Sequence, residues 1–140
     1  MEDGDQAPPP SQQQETSPLR TWGPAACVAA VILILSSIPG TAFPKHPDRL
    51  NSAVHFLEFC LLGFFLTRAI STWRPMGRLS LILISAAICG TFGFLDEAHQ
   101  FLIPYRMFDI MDLFYDILGA ITGGLIFIVT GCSSAHADGA

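Results

Sequence analysis

Four apolar runs, residues 24–38, 54–70, 79–95 and 113–129, constrain this chain more than any other feature. Each is about 15 to 17 residues long, at the short end of what crosses a hydrocarbon core of roughly 30 Å. A soluble four-helix bundle would repeat polar residues every three or four positions along each helix. Residues 28–35 and 81–88 carry no such polar face. Trp22, Trp73 and Tyr105 flank the runs as interfacial residues and extend the helices into the headgroup layer. The expected fold class is therefore all-α: a polytopic membrane protein, an up-down bundle of four transmembrane helices. Its spans are expected at about 22–39, 53–71, 79–99 and 111–130, within a membrane domain covering 20–131.

Charge distribution supports this reading. Only 14% of residues are charged, against about a quarter in soluble domains. Many of the charges precede the first run, where Glu2, Asp3, Asp5 and Glu15 accompany proline and glutamine triplets and few large apolar side chains. Such a stretch cannot bury enough surface to offset its ordering entropy, so residues 1–19 read as a disordered cytoplasmic tail and 132–140 as a short flexible one. The net charge of -5 owes much to the N-terminal stretch, and nothing points to nucleic acid. A signal peptide is the other reading of the first run. Its single flanking Arg20 and the lack of a small-x-small cleavage site before Pro44 argue against it. Cys27, Cys60 and Cys89 fall one to each of the first three apolar runs and Cys132 just past the fourth; all read as small hydrophobes, with no CxxC or metal spacing.

Short connections make the spans alternate. Arg68, Arg74 and Arg78 surround the link between spans two and three, which the positive-inside rule places in the cytoplasm together with Arg20 and both termini. Lys45, Arg49 and Arg106 then lie outside, a margin of four against three. Whichever way the chain inserts, the alternation delivers three helix ends to one bilayer face. Asn51, His55 and Glu58 enter span two there; Asp96, Glu97, His99 and Gln100 leave span three; Arg106, Asp109, Asp112 and Asp116 lead into span four. Asn51, His55 and Glu58 stand at i, i+4, i+7, as do Gly93, Glu97 and Gln100, so each trio shares a helix face. On span four the series Asp112, Asp116, Gly119, Gly123 places the acidic residues on the same stripe as a Gly-x-x-x-Gly unit, which lets another helix approach closely.

A charged side chain at mid-bilayer costs about 2.5–3.5 kcal/mol, and gathered carboxylates also repel. Arg106 and the imidazoles of His55 and His99 are the available partners; failing these, carboxyls stay protonated or a cation binds. Asp96 reads as a helix-end residue in headgroup water, and Asp109 as an N-cap. His46 and His136 read as loop and tail residues, and Lys45 and Arg49 as headgroup contacts. The candidate cluster is His55, Glu58, Glu97, His99, Gln100, Arg106, Asp112 and Asp116, with Gly119 and Gly123 for packing. It serves either as a binding or catalytic site or as an internal network holding the spans together. No His-x-x-x-His pair or other metal-spaced set occurs, so neither metal nor cofactor is expected.

At these residues the chain resembles the VanZ-like family of small membrane proteins. The resemblance runs over residues 51–124 and rests on His55, Glu58 and Phe59 followed by Leu62 and Gly63. It continues in Glu97, His99, Gln100 and Phe101, then Pro104 and Arg106, then Asp112, Asp116, Gly119 and Gly123. Asn51 and Ser52 stand where the family often has an Asp-Lys pair, Phe59 where it has Tyr, and Tyr105 where Gly is common. The resemblance implies a multi-pass protein of the bacterial cytoplasmic membrane, likened to a founder that confers low-level teicoplanin resistance, without a settled biochemical activity.

Three functions compete. The preferred one is a non-enzymatic envelope protein whose outward cluster binds a lipid headgroup or cell-wall precursor, with Arg106 on phosphate or carboxylate and Glu97, Asp112 and Asp116 holding Arg106. The alternative is an intramembrane hydrolase or transferase acting on a lipid-linked substrate through His55 and the carboxylates; no nucleophile motif supports it. The third is a structural subunit in which the cluster is internal glue. A homo-oligomer through Gly119 and Gly123 is compatible with each.

Overall fold

The computed structural model describes residues 17–39, 41 and 48–137, with the side chains of 48–49 and 132–137 left out. The disordered-tail reading of residues 1–16 lies outside the described residues, as do Lys45, His46 and the side chains of Arg49, Cys132 and His136.

Four helices follow one another: α1 (Pro18–Ser36), α2 (Asp48–Trp73), α3 (Arg78–Gln100) and α4 (Ile110–Ala137). All four are long and apolar enough to cross a membrane. In lipid no water can satisfy free backbone groups, so long apolar runs resolve into helices that close their own hydrogen bonds. α1 begins earlier than the expected span because Pro18 sits in its first turn, where a missing N–H has no intrahelical partner to lose. The backbone of α4 stays helical to Ala137, beyond the point at 132 where a flexible tail was expected.

α2 is the centre of the bundle. It packs most intimately against α4, while α1 leans on α2 and touches α3 only slightly. Phe59, Leu62, Leu66 and Ile70 form the core face of α2, met by Ala25 and Ile32 of α1, Leu81 and Cys89 of α3, and Ala120 of α4. Thr67 donates to Ser85 across α2 and α3 at 2.9 Å, a buried polar tie of the kind that joins helices in membranes. Leucines, isoleucines and valines such as Leu57, Leu61, Leu83, Leu125 and Val129 face outward, as a lipid solvent allows.

The Gly-x-x-x-Gly stripe is used inside the chain. A Cβ on Gly119 would run into the Phe56 carbonyl, and one on Gly123 into the Cys60 carbonyl of α2. Reciprocally, a Cβ on Gly63 would meet the Ala120 backbone. This corrects the expectation that Gly119 and Gly123 could join two copies of the chain, because α2 already fills that surface.

In the α3–α4 connection Tyr105 adopts φ 63°, the left-handed region, at the position where the family commonly has glycine. The residue is 81% exposed and contributes little packing. Left-handed backbone costs a non-glycine residue about 1–2 kcal/mol, and glycine loses about 0.5–1 kcal/mol more entropy on folding. Tyr105→Gly is therefore expected to raise the thermal midpoint in detergent, by a net stabilisation of about 0.5–1 kcal/mol; a lowered midpoint would refute the strain at this turn.

Candidate functional site

The alternation of helices brings the end of α1, the start of α2, the end of α3 and the start of α4 together, and their polar residues form one network. On α2, Asn51 Nδ2 donates to Asp112 Oδ2 at 2.5 Å and Ser52 Oγ to Asp112 Oδ1 at 3.0 Å. One turn further in, His55 Nδ1 lies 3.0 Å from Asp116 Oδ1. The opposite ring nitrogen, Nε2, lies 3.7 Å from Asp112 Oδ2 and 4.0 Å from Glu97 Oε1. Glu97 Oε2 accepts the backbone N–H of Asp109 at 2.9 Å. Gln100 Nε2 donates to Asp96 Oδ2 at 2.9 Å and to Glu97 Oε1 at 3.3 Å. His55, Asp96, Glu97, Gln100, Asp112 and Asp116 are all buried.

Local helix geometry explains who takes part. A helix turns about 100° per residue, so Gly93, Asp96, Glu97 and Gln100 lie on one arc of α3, all buried. Gly93 matters because a Cβ there would press on Asp116 Oδ2; the bare backbone lets that carboxylate tuck between α3 and α4. Asp109 does cap α4, its Oδ1 accepting the N–H of Met111 at 2.8 Å.

Several expected roles change. Asp96 is not in headgroup water: at 1% exposure it accepts a hydrogen bond from Ser36 Oγ of α1 at 2.7 Å, which covers that flank of α3. His99 turns to the α1 side, where its Nε2 meets Ser37 Oγ at 3.1 Å, and no carboxylate lies within ion-pair distance of it among the described residues. Glu58 is half-buried, and its side chain makes no hydrogen bond among the described residues. Arg106 is not the hub for the acids: Glu97, Asp112 and Asp116 gather around His55. Arg106 instead donates from Nη2 to Leu35 O at 3.3 Å, from Nε to Ile38 O at 3.4 Å and from Nη1 to Gln100 Oε1 at 3.2 Å. A guanidinium there satisfies open carbonyls at the C-terminus of α1 and complements the helix dipole. Arg106→Ala should destabilise the fold by about 1.5–3 kcal/mol, the scale of charged hydrogen bonds, and expose the end of α1 to protease; an unchanged melting curve and digestion pattern would remove this role.

Ser36 and Ser52 belong to the network, through Asp96 and Asp112, and Ser37 holds His99 beside it; none of the three was taken as a site residue in the sequence. Their only signal is position: a serine pair closing an apolar run, and a serine three residues before His55. The expectation of no metal-ligating set rested on local spacing alone. Folding brings one ligand atom each from His55, Glu97 and Asp112, on three different helices, within 4.8 Å of one another.

Electrostatically the cluster is overdrawn on the negative side. Two like charges about 4 Å apart repel by about 4 kcal/mol at an effective dielectric near 20, and one imidazole faces three carboxyls here. Asp96 Oδ1 and Asp116 Oδ2 are buried with no hydrogen-bond partner. Protons or a cation must supply the balance.

The sequence resemblance covered the helices that build this cluster, and the family comparison extends it to α1. No curated protein and no solved structure matches the chain. Residues 9–131 match the family model described as VanZ/LLP1, so the four apolar helices and the polar network that ties their ends together are those of a multi-pass membrane protein of the VanZ/LLP1 family, to which this chain belongs.

Proposed function

We propose that this protein binds an amphiphile, a lipid headgroup or a lipid-linked cell-wall precursor, at the polar end of its bundle, on the outer face of the bacterial cytoplasmic membrane. Glycopeptide tolerance of the teicoplanin type would follow from that binding. The observation that carries the reading is a groove of about 850 Å³ between α2 and α4. Ser52 and Asp109 line its polar part, and Phe56, Leu57, Tyr115 and Leu118 its apolar part. Leu57 and Leu118 are exposed to the lipid side. The polar residues are tied to the cluster, Ser52 through Asp112 and Asp109 through Glu97. A molecule with a polar head and an apolar chain fits such a surface, whereas a wholly polar ligand would leave its apolar half unused.

Arg106 is engaged by α1 and Gln100, so polar recognition in the groove falls to its polar lining residues, Ser52 and Asp109. These groups suit a hydroxyl or amine, or a phosphate approached through a cation. The test fills the groove: Ala53, another lining residue, is replaced by tryptophan. Native mass spectrometry of protein extracted with its membrane lipids should show bound amphiphile on the wild type and a several-fold loss on Ala53→Trp at equal abundance. Teicoplanin susceptibility of cells expressing each form should move in parallel. Equal lipid occupancy in both proteins would refute the groove as the binding surface.

A further inference from the structure

We propose that His55, Glu97 and Asp112 form a binding site for one divalent first-row transition-metal ion. The inference stands on the side-chain geometry and does not require the amphiphile of the preceding section.

The orientation of His55 comes first. An ionised carboxylate oxygen can only accept, so with Asp116 ionised the contact of its Oδ1 with His55 Nδ1 at 3.0 Å places the ring proton on Nδ1. Nε2 then carries the lone pair, with Asp112 Oδ2 at 3.7 Å and Glu97 Oε1 at 4.0 Å. Three acceptors facing one another at separations too long for hydrogen bonds gain nothing from direct contact. They suit an ion held in common. Zinc-like ions bind imidazole nitrogen and carboxylate oxygen at about 2.0–2.2 Å, which sets neighbouring ligand atoms roughly 3 to 3.6 Å apart. The present separations close to that range by side-chain movements of under about 1 Å.

Two further observations point the same way. His55 Nε2 has no hydrogen-bond partner among the described residues, although the side chain is only 6% exposed. Asp116 Oδ2 is likewise buried and unpartnered, adding negative charge directly behind the imidazole. Each ligand is also positioned by its neighbours: His55 at Nδ1 by Asp116, Asp112 at Oδ1 by Ser52 and at Oδ2 by Asn51, and Glu97 at Oε2 by the Asp109 N–H and at Oε1 by Gln100, which leaves the second lone pair of Oδ2 and of Oε1 for an ion. A carboxylate behind a metal-ligating imidazole fixes its tautomer and raises its basicity. One nitrogen and two carboxylate oxygens favour Mn²⁺, Fe²⁺ or Zn²⁺ over Mg²⁺ and Ca²⁺, which prefer oxygen alone. Three protein ligands leave positions for water or an oxyanion.

The experiment uses tag-free, full-length protein in detergent micelles, stripped with a chelator and then dialysed. Mn²⁺ is titrated by the loss of its free electron paramagnetic resonance signal, and Zn²⁺ by competition with a chelating dye. One equivalent of at least one of these ions should bind per chain at sub-millimolar concentration. Glu97→Gln and Asp112→Asn should each weaken binding by at least about 10-fold, and Asp116→Asn by about 10-fold, because Nδ1 keeps an acceptor but the charge that raises the basicity of the imidazole is lost. Glu15→Gln, in the acidic N-terminal stretch, should bind as the wild type does. If the folded wild type shows no saturable binding of either ion, the site is overturned and His55 is the cluster's own cation. Equal affinity in Glu97→Gln and Asp112→Asn would overturn it too. Should those variants fail to fold, the wild-type titration decides alone. A protein that binds the ion yet carries no lipid would contradict the groove and leave this site intact.

Discussion

Gly123→Val is expected to abolish stable accumulation of the protein. The Cβ it introduces would fall on the Cys60 carbonyl and close to the Phe64 nitrogen, both backbone atoms of α2. A flexible side chain could step aside; a helix backbone cannot, so α2 would have to move off α4 along their whole contact. Overpacking a core ordinarily costs about 1–3 kcal/mol, and this case should reach or exceed the upper end. Because α2 and α4 form the principal interface, their separation also pulls His55 away from Asp112 and Asp116. Gly131→Val makes the matched control on the same helix, since a Cβ there meets nothing within 4 Å. Membrane abundance and thermal unfolding in detergent give the readout. A Gly123→Val protein that accumulates and melts like the wild type would mean that α2 and α4 do not pack in this register.

Asp116→Ala should be almost as damaging, for an electrostatic reason. Asp116 is fully buried and holds His55 at 3.0 Å. Removing one partner of a buried pair costs about 3–5 kcal/mol, because the other polar group stays buried without compensation. Asp116→Asn is the informative counterpart. Its amide oxygen still accepts from Nδ1 and its volume is nearly unchanged, so the loss of stability should be about 1 kcal/mol, the scale of one neutral hydrogen bond. With abundance largely preserved, the asparagine variant separates the two readings of the cluster. If lipid or metal binding falls only in proportion to abundance, the acids are internal glue. If binding is lost at full abundance, the charge itself is used. Asp116→Ala melting at the wild-type temperature would show that the buried pair contributes nothing to the fold.

Much of the site was legible in the residues. The series Asn51–His55, Glu97–Gln100 and Asp112–Asp116 follows helical spacing, and alternation alone puts the three at one end. His99 shows how the same rule can be misapplied. It lies between Glu97 and Gln100 in the chain, yet the helix carries it about 100° away from Gln100, towards Ser37. Strict use of the periodicity that links Gly93, Glu97 and Gln100 would have left it out. Asp96 failed for another reason. Whether a helix-end acid meets water depends on what covers it, and here that is Ser36 of a different helix. Arg106 and Tyr105 sit in a connection whose backbone has no periodicity, so the reach to Leu35 and Ile38 could not be read in advance, and the only hint of the left-handed turn was the glycine that the family commonly has at the position of Tyr105.

Residue order alone determined the four helices, their alternation and the face each presents, because in lipid every backbone group must be paired within its own helix and side chains recur every 3.6 residues. Only the tertiary structure decided the partners: that the glycine stripe of α4 receives α2, that the acids surround His55 and leave Arg106 to cap α1, and that three ligand atoms converge. Those choices depend on how far each helix is rotated and how closely it approaches its neighbour. Such quantities are set by the packing of all four helices at once, and no local stretch of chain encodes them.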